Sequence, residues 1–257
     1  MASRFRHAVE NFGGRRFKPQ AHTSDFSKLC VYSQSLALTV KENIVIKPAH
    51  LKKSDPSLVE VCPTWKEGEE VELREAVLRD MQVIPNFVSE QEEAALLSEL
   101  EPYLKRMRYE FDHWDNAIQG YRETERSQWR PENAAVLERV RRVALGGAEP
   151  LPHAHVLDLA PAGFIKPHID AVRFCGSVIA GVCLLSSAVM RLQHERLPHC
   201  AVHALLQRRA LYVMSGVARY EFTHAVVGGE HSAWRGQRVP RRRRVALICR
   251  ARPDAPQ

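Results

Sequence analysis

The sequence lacks the features of small disulfide-bonded, zinc-binding and membrane-spanning proteins. Its 257 residues contain six cysteines, with no C-x-x-C pair and no even spacing. This usage argues against a disulfide framework or a zinc module and favours reduced thiols inside a cell. The longest uncharged apolar stretch, Phe174 to Met190, is interrupted by glycine and serine and is shorter than the about 18 residues that a spanning helix needs. No transmembrane segment is therefore expected.

The first 75 residues also lack any sustained hydrophobic period or internal repeat. The first eighteen hold five basic side chains and one acid, Glu10. Such an Arg-rich, acid-poor start is typical of a mitochondrial presequence, and a disordered basic tail has the same composition. Residues 52–68 contain two prolines and mixed charge, and we interpret them as a linker. We therefore predict an N-terminal extension over residues 1–75, disordered and with a targeting segment as one alternative, and a folded domain over residues 76–257.

The bulk composition is that of an ordinary globular protein, with 45% hydrophobic and 26% charged residues. This length suits one sizeable domain with appendages. The formal net charge of +7 permits an anionic partner without identifying one.

Two helices precede a strand-rich half of the chain. Ser89 and Glu92 have the spacing of a capping box, which starts a helix. Pro131 is a favoured first-turn residue and begins a second helix. From about residue 154 the sequence pattern changes to short β-like runs. They lie at 154–159, 164–169, 177–185, 210–214, 219–226 and 244–250. This order predicts an α+β fold with a double-stranded β-helix (jelly-roll) core and N-terminal helices packed on one side.

His168 and Asp170 end one of these strands, and strand residues two apart point to the same face. They therefore present an imidazole and a carboxylate side by side. A His-x-Asp pair and a later histidine make a 2-His-1-carboxylate triad, which holds Fe(II) and leaves positions open for substrate and O₂. The pair alone is weak evidence, because the chain has 12 histidines and 30 acids.

His224 is the preferred third ligand, because it lies in an alternating strand with apolar flanks and can face inward. A lone histidine there is more often a satisfied core residue, but the His168/Asp170 pair reverses that preference. His194, His199 and His203 fall in a charge-rich section, residues 193–209, that we predict to be irregular and solvated.

Arg244 and Arg250 are six residues apart on an apolar run, so both face one side of a strand. A buried guanidinium needs a partner, and a carboxylate fits its planar fork best. Tyr212 adds a phenolic donor for the same carboxylate. Arg241, Arg242 and Arg243 are interpreted instead as a solvated basic rim.

The order and spacing of His168-x-Asp170, His224 and Arg244-x₅-Arg250 resemble the AlkB-type Fe(II)/2-oxoglutarate dioxygenases. The resemblance is closest to a mitochondrial branch of that family and covers roughly residues 80–252. Further motifs carry it: Arg108 to Asp115, Tyr121 to Glu125, His155 to Leu159, Phe174-Cys175-Gly176, Leu184-Leu185-Ser186, and Val189 to Leu192. The 193–209 section departs from it by lacking the expected turn before Tyr212.

The resemblance implies a site, an activity and a location. Fe(II) would be held by His168, Asp170 and His224, and 2-oxoglutarate by Tyr212, Arg244 and Arg250. The expected protein is an oxidoreductase of the mitochondrial matrix, a monomer whose partners are 2-oxoglutarate, O₂ and a prime substrate. The resemblance also links it to fatty-acid metabolism and to regulated necrosis after alkylation damage.

The prime substrate and one different class of function stay open. Five aromatic residues between Tyr109 and Trp129 can line a base-flipping pocket or pack a cap against the sheet. Five acids are interleaved with them, and these repel a phosphate backbone. A protein side chain is therefore the first expectation and methylated mitochondrial RNA the second. A non-catalytic binding module with a remnant metal site is the alternative to an enzyme.

Overall fold

A computed structural model describes residues 53–113 and 116–253 of the protein. The predicted presequence lies outside these residues. The described part contains four α-helices: α1 (Val71–Asp80), α2 (Glu90–Leu104), α3 (Pro131–Ala144) and α4 (Gly216–Tyr220). Among them, none is long and apolar enough to cross a membrane.

Twelve strands account for the rest of the regular structure in the described residues. They are β1 (Val59–Val61), β2 (Met81–Ile84), β3 (Ile118–Arg126), β4 (Ala154–His168), β5 (Ile179–Leu184), β6 (Ala188–His194), β7 (Ala201–Leu206), β8 (Leu211–Met214), β9 (Phe222–Val226), β10 (Ala233–Trp234), β11 (Gln237–Arg238) and β12 (Arg244–Arg250). Short 3₁₀ turns occur at Pro56–Leu58 and Gly229–His231.

Ten of these strands form one antiparallel sheet in the order β1-β7-β6-β9-β4-β12-β5-β8-β2, with β3 also paired to β4. The two ends of this order meet, because the Asp55 backbone N–H, just before β1, donates to the Val83 carbonyl of β2 at 2.8 Å. The sheet is therefore a nearly closed, jelly-roll-like barrel. The predicted fold class is confirmed.

The two long helices pack on the outer face of this barrel. Ser89 Oγ accepts the Glu92 backbone N–H at 3.1 Å, and the Ser89 N–H donates to the Glu92 carboxylate at 2.8 Å. This confirms the predicted capping box, which satisfies free donors at the start of α2. Three leucines of α2 and three residues of α3 bury against the outward-facing side chains of β5 and β12: Leu96, Leu100, Leu104, Val136, Leu137 and Val140.

Alternation along β12 separates this outer core from the barrel interior. Val245, Leu247 and Cys249 belong to the outer cluster, whereas Ala246 and Ile248 belong to the inner one. Arg244 and Arg250 share the parity of the inner residues. The strand therefore aims both guanidinium groups into the barrel, as predicted.

The folded unit begins before the predicted boundary at residue 76. Strand β1 pairs with β7, and Trp65 is 3% exposed and stacks on Phe222. The linker interpretation of residues 52–68 is wrong for its described part, because β1 belongs to the sheet and Val59 and Trp65 pack in the inner core. The extension proper, residues 1–52, lies outside the described residues and stays a prediction.

Residues 193–209 are not irregular, and this expectation was wrong. They contribute the end of β6 and all of β7, which pair with each other. Val202, Ala204 and Leu206 are buried at every second position, a strand signal masked by the neighbouring charges. His194 is 5% exposed rather than solvated, and its Nδ1 accepts the backbone N–H groups of Arg196 and Leu197 in the connecting turn.

The predicted strand at 219–226 begins later, at Phe222, because α4 covers residues 216–220. Arg219 of that helix is 1% exposed and donates to the carbonyls of Cys175 and Gly176 at 2.9 and 3.2 Å. The helix thereby ties down the turn that follows Asp170.

Candidate metal centre and cosubstrate pocket

Three adjacent chain segments bring the predicted triad together. His168 ends β4, and His224 on β9 is its cross-strand partner. One side-chain N or O atom from each of His168, Asp170 and His224 lies within 4.8 Å of the others. Asp170 Oδ1 is 3.3 Å from His168 Nε2 and 3.6 Å from His224 Nε2. At these separations the three side chains could hold one metal ion together.

A hydrogen bond orients the imidazole of His168, and burial keeps that of His224 neutral. His168 Nδ1 lies 2.9 Å from the Lys166 carbonyl and donates to it, which turns the other ring nitrogen, Nε2, toward Asp170. Burial, reinforced by the nearby His168, lowers the pKa of His224 to about 3. An imidazole that stays neutral above this pH keeps a lone pair for a metal.

Asp170 is held as a carboxylate. Burial acts to raise its pKa, but the hydrogen bond with His168 and the positive charge of Arg250 outweigh burial and hold the pKa well below its usual range. The donor set is therefore two imidazoles and one carboxylate. This set fits Fe(II) in a 2-His-1-carboxylate centre, which leaves coordination positions open.

Arg250 contacts the metal triad directly. Its Nε donates to Asp170 Oδ2 at 2.9 Å, and its Nη1 lies 3.1 Å from His155 Nδ1. Burial acts to lower the pKa of Arg250, but Asp170 raises it overall. The guanidinium is thus a permanent cation that orients the Asp170 carboxylate.

All six predicted site residues line one small interior cavity of about 50 Å³. Arg244 is 1% exposed, its Nη2 lies 3.4 Å from Cys183 Sγ, and its Nε has no hydrogen-bond partner among the described residues. Tyr212 is buried beside it, and burial raises the pKa of its phenol, which stays a donor. A buried cation with no acid partner in the described part of the chain, next to a phenol donor, fits the carboxylate of an incoming dicarboxylic acid.

A glycine makes room for Tyr212, and no pattern in the sequence pointed to it. Gly181 on β5 is the cross-strand partner of Tyr212 on β8. A Cβ at residue 181 would lie 2.6 Å from the Tyr212 hydroxyl oxygen and closer still to the ring. The tyrosine ring therefore lies flat across the glycine backbone, which is why it reaches the cavity.

No family model matches the sequence, but curated relatives do. The chain is 50% identical over 179 residues to the mouse (Mus musculus) protein "Alpha-ketoglutarate-dependent dioxygenase alkB homolog 7, mitochondrial", covering 69% of this chain and 81% of the mouse protein. The chain belongs to the AlkB family of 2-oxoglutarate-dependent dioxygenases. The cattle (Bos taurus) protein of the same name is 49% identical, with the same coverage.

This AlkB-family chain is an enzyme, an oxidoreductase whose cofactors are Fe(II) and 2-oxoglutarate, as the resemblance implied. The names of both relatives include the word mitochondrial, which agrees with the expected location. The solved structure titled "The structure of OsALKBH1" superposes with a TM-score of 0.51 at 13% identity, over 67% of this chain and 96% of that one. At this identity it bears on the fold alone.

The AlkB-family site opens onto a broad cleft of about 760 Å³. One wall carries Glu123, Thr124 and Glu125 of β3 beside His155 of β4; the other side includes Lys166, Phe174 and Asp170. The four described aromatics of the 109–129 section, Tyr109, Phe111, Tyr121 and Trp129, are not among the residues that line it. Trp114 lies outside the described residues.

Glu123 is the main polar feature of this wall that the sequence did not reveal. Its two carboxylate oxygens lie 2.8 Å from His155 Nε2 and 3.4 Å from His113 Nε2. Burial acts to raise its pKa, but the hydrogen bond with His155 and the charge interactions lower it overall. The two acids at 123 and 125 share a face by strand alternation, which is the only sequence signal for this wall.

The predicted basic rim is solvated only at Arg242, and for its two neighbours the interpretation was wrong. Arg243 pairs with Asp158, which is fully buried, at 2.8 Å and with Glu101 at 2.6 Å. Arg241 donates to the Gly163 carbonyl at 2.9 Å, and burial lowers its pKa to about 10. These contacts anchor the segment that leads into β12 and so position Arg244.

Proposed function

We propose that this chain oxidises a protein side chain in the mitochondrial matrix, with iron held by His168, Asp170 and His224. The observation that carries the proposal is the approach of these three donors beside the buried, acid-free guanidinium of Arg244. The Arg244 half of the site would be unfavourable alone, because burying an unpaired charge destabilises a fold. Together the two halves suit a metal and a dicarboxylate.

Bound Fe(II) with 2-oxoglutarate and O₂ supplies the oxidation, which inserts one oxygen atom into a substrate C–H bond and releases succinate and CO₂. Each protein group then has a defined task. Asp170 neutralises one charge of the ion, and the two imidazoles complete the protein ligands. Arg244 and Tyr212 hold the far carboxylate of 2-oxoglutarate, and Arg250 keeps Asp170 oriented. The apolar barrel wall around Arg244 excludes water and strengthens these charge interactions.

The cleft favours a protein as prime substrate. Its volume of about 760 Å³ accommodates a side chain with flanking backbone, and Glu123 and Glu125 are among its lining residues. Carboxylates at this position oppose a phosphate backbone, whereas they accept hydrogen bonds from amide or cationic groups. Phe174, which is 57% exposed, adds an apolar contact at the mouth.

Hydroxylation of a carbon in such a side chain is stable, whereas hydroxylation of an N-methyl carbon releases formaldehyde. Methylated RNA is the alternative that the assay separates. All six proposed site residues come from one chain, which supports a monomer. Links to fatty-acid metabolism and regulated necrosis stay predictions from the resemblance.

The test is succinate release from protein reconstituted with Fe(II) under anaerobic conditions, given 2-oxoglutarate and then O₂. We expect turnover in the parent protein and its loss in His168→Ala. The matched control is His199→Ala, at an exposed turn residue, which should keep full turnover. Mitochondrial peptides should raise succinate release and gain 16 Da. Formaldehyde from methylated RNA without any peptide product would contradict the protein assignment, and no turnover in folded, iron-loaded protein would contradict the enzyme.

A further inference from the structure

Four side chains form a continuous hydrogen-bonded row from the cleft wall to the metal triad. Glu123 Oε2 is 2.8 Å from His155 Nε2. His155 Nδ1 is 3.1 Å from Arg250 Nη1, and Arg250 Nε is 2.9 Å from Asp170 Oδ2. The row thus links Glu123, which is not a proposed metal ligand, to Asp170, which is one.

The proton positions in this row follow from its chemistry. A guanidinium has donors only, so His155 Nδ1 must accept from Arg250. The other ring nitrogen then carries the proton and donates to Glu123. A carboxylate behind an imidazole makes that imidazole a stronger acceptor, as second-sphere carboxylates do behind metal-bound histidines. Glu123 therefore strengthens the hold of His155 on Arg250.

Three neighbouring strands of the sheet supply the row. Glu123 is on β3, where Glu125 is the cross-strand partner of His155 on β4. Ile248 on β12 is the cross-strand partner of His155 on its other side. Glu123 and Arg250 are each two residues from these partners, on the same face, within diagonal reach of the imidazole. Backbone pairing thus places all three groups together without a flexible loop.

We propose that Glu123 and His155 are positioning residues that fix Arg250 against Asp170 and so set the affinity of the metal centre from the cleft wall. This rests on the proposed function, because it takes Asp170 as a metal ligand. Arg250 held at both Nε and Nη1 cannot rotate away from Asp170. Without His155 the guanidinium has one anchor, and the Asp170 carboxylate is free to turn its Oδ1 out of line with the imidazoles.

The position of Glu123 and His155 in the cleft also couples substrate binding to the metal centre. Glu123 and His155 both line the substrate cleft, so a substrate donor that engages Glu123 competes with His155 for the same carboxylate. Substrate contact on the wall would then change the hydrogen bonds that hold Asp170. The row is therefore a route by which occupancy of the cleft reaches the metal.

The test is Mn(II) affinity, measured from the free-ion EPR signal during titration of metal-stripped protein. His155→Phe keeps an aromatic ring at this position and removes both nitrogens, and we expect it to weaken Mn(II) binding by about 10- to 100-fold, the usual effect of losing an outer-sphere partner. His155→Gln offers one donor to Glu123 and one acceptor to Arg250, and it should recover affinity to within a few-fold of the parent. A purely structural role would not be rescued in this way.

Two further variants complete the set. The matched control is His203→Gln, in a similar half-buried histidine–carboxylate pair with Glu60 across β7 and β1, 3.9 Å apart, which should bind Mn(II) like the parent. Glu123→Gln still accepts from His155 but lacks the charge, and we expect a loss of about 10-fold, the low end of the range. It decides the matter if His155→Phe does not fold.

The outcomes distinguish the proposed metal centre from the proposed positioning role of Glu123 and His155. Parent protein that binds no Mn(II) would overturn the proposed metal centre and the row with it. Tight parent binding that is unchanged in His155→Phe or, where that variant does not fold, in Glu123→Gln would overturn the positioning role alone. Equal losses in His155→Phe and His155→Gln would also overturn it.

Discussion

Replacing Arg244 by methionine should stabilise the cosubstrate-free protein while removing its response to 2-oxoglutarate. Arg244 is 1% exposed, and its Nη2 lies 3.4 Å from the Cys183 thiol. Its Nε has no partner among the described residues, so the fold contains a buried cation that is not neutralised there. Methionine has a similar length and no charge, and it suits the apolar neighbours of the barrel interior.

The magnitudes follow from these contacts. Replacing buried ionic groups by apolar groups of similar volume stabilises proteins by up to about 1–4 kcal/mol, so Arg244→Met should unfold at a higher urea concentration. Removing one partner of a buried charge pair costs about 2–5 kcal/mol of binding, which is about 30-fold or more in affinity for 2-oxoglutarate. The variant therefore gains stability and loses its cosubstrate.

Urea unfolding with Mn(II), with and without 2-oxoglutarate, measures both effects. At about 100 times its dissociation constant, 2-oxoglutarate should stabilise the parent by about 2.7 kcal/mol. With a 30-fold weaker site, the same concentration should stabilise Arg244→Met by less than about 0.9 kcal/mol. A variant that is less stable than the parent without cosubstrate would refute the reasoning, and so would one that keeps the full response to 2-oxoglutarate.

The neighbouring arginine is a control with the opposite sign. Arg243 pairs with Asp158 and Glu101, and its side chain is 28% exposed. Arg243→Met should destabilise the protein by about 1–3 kcal/mol, below the full cost of a broken buried pair, because Arg122 still contacts Asp158 at 2.8 Å. Its stabilisation by 2-oxoglutarate should remain close to that of the parent.

Two further predictions test the packing and the electrostatics of the site. Gly181→Ala should lower stability by about 1–3 kcal/mol and weaken 2-oxoglutarate binding, because the added methyl group displaces the Tyr212 ring; an unchanged urea midpoint would contradict this. In metal-stripped protein, stability should fall as the pH is lowered from about 6.5 towards 3, by up to about 1.4 kcal/mol per pH unit. In that window His224 binds a proton in the unfolded chain but stays neutral in the fold, since burial lowers its pKa to about 3. His224→Leu should reduce the dependence of the unfolding free energy on pH, whereas the exposed-site variant His199→Leu should not. Urea unfolding at a series of pH values measures both.

The metal triad and the cosubstrate arginines were accessible from local pattern. Residues six apart on a strand share a face whatever the rest of the fold does, so Arg244 and Arg250 both face inward as predicted. His168 and Asp170 do lie side by side, but β4 ends at His168, so Asp170 is placed by the turn beyond the strand. The capping box at Ser89 is equally local. The choice of His224 over His194 depended on flanking alternation, and the barrel register brings His224 opposite His168.

The contacts that position the site residues depend on tertiary structure alone. Glu123, His155 and Arg250 meet because β3, β4 and β12 are adjacent in the sheet, although 95 residues separate His155 from Arg250. The place of β1 at the edge beside β7, the charges that surround Asp158, and the room that Gly181 leaves for Tyr212 arise in the same way. Strand neighbours so far apart in the chain leave no periodic trace in sequence. Local alternation determined which side chains face inward, and the order and register of the strands decided which of them touch.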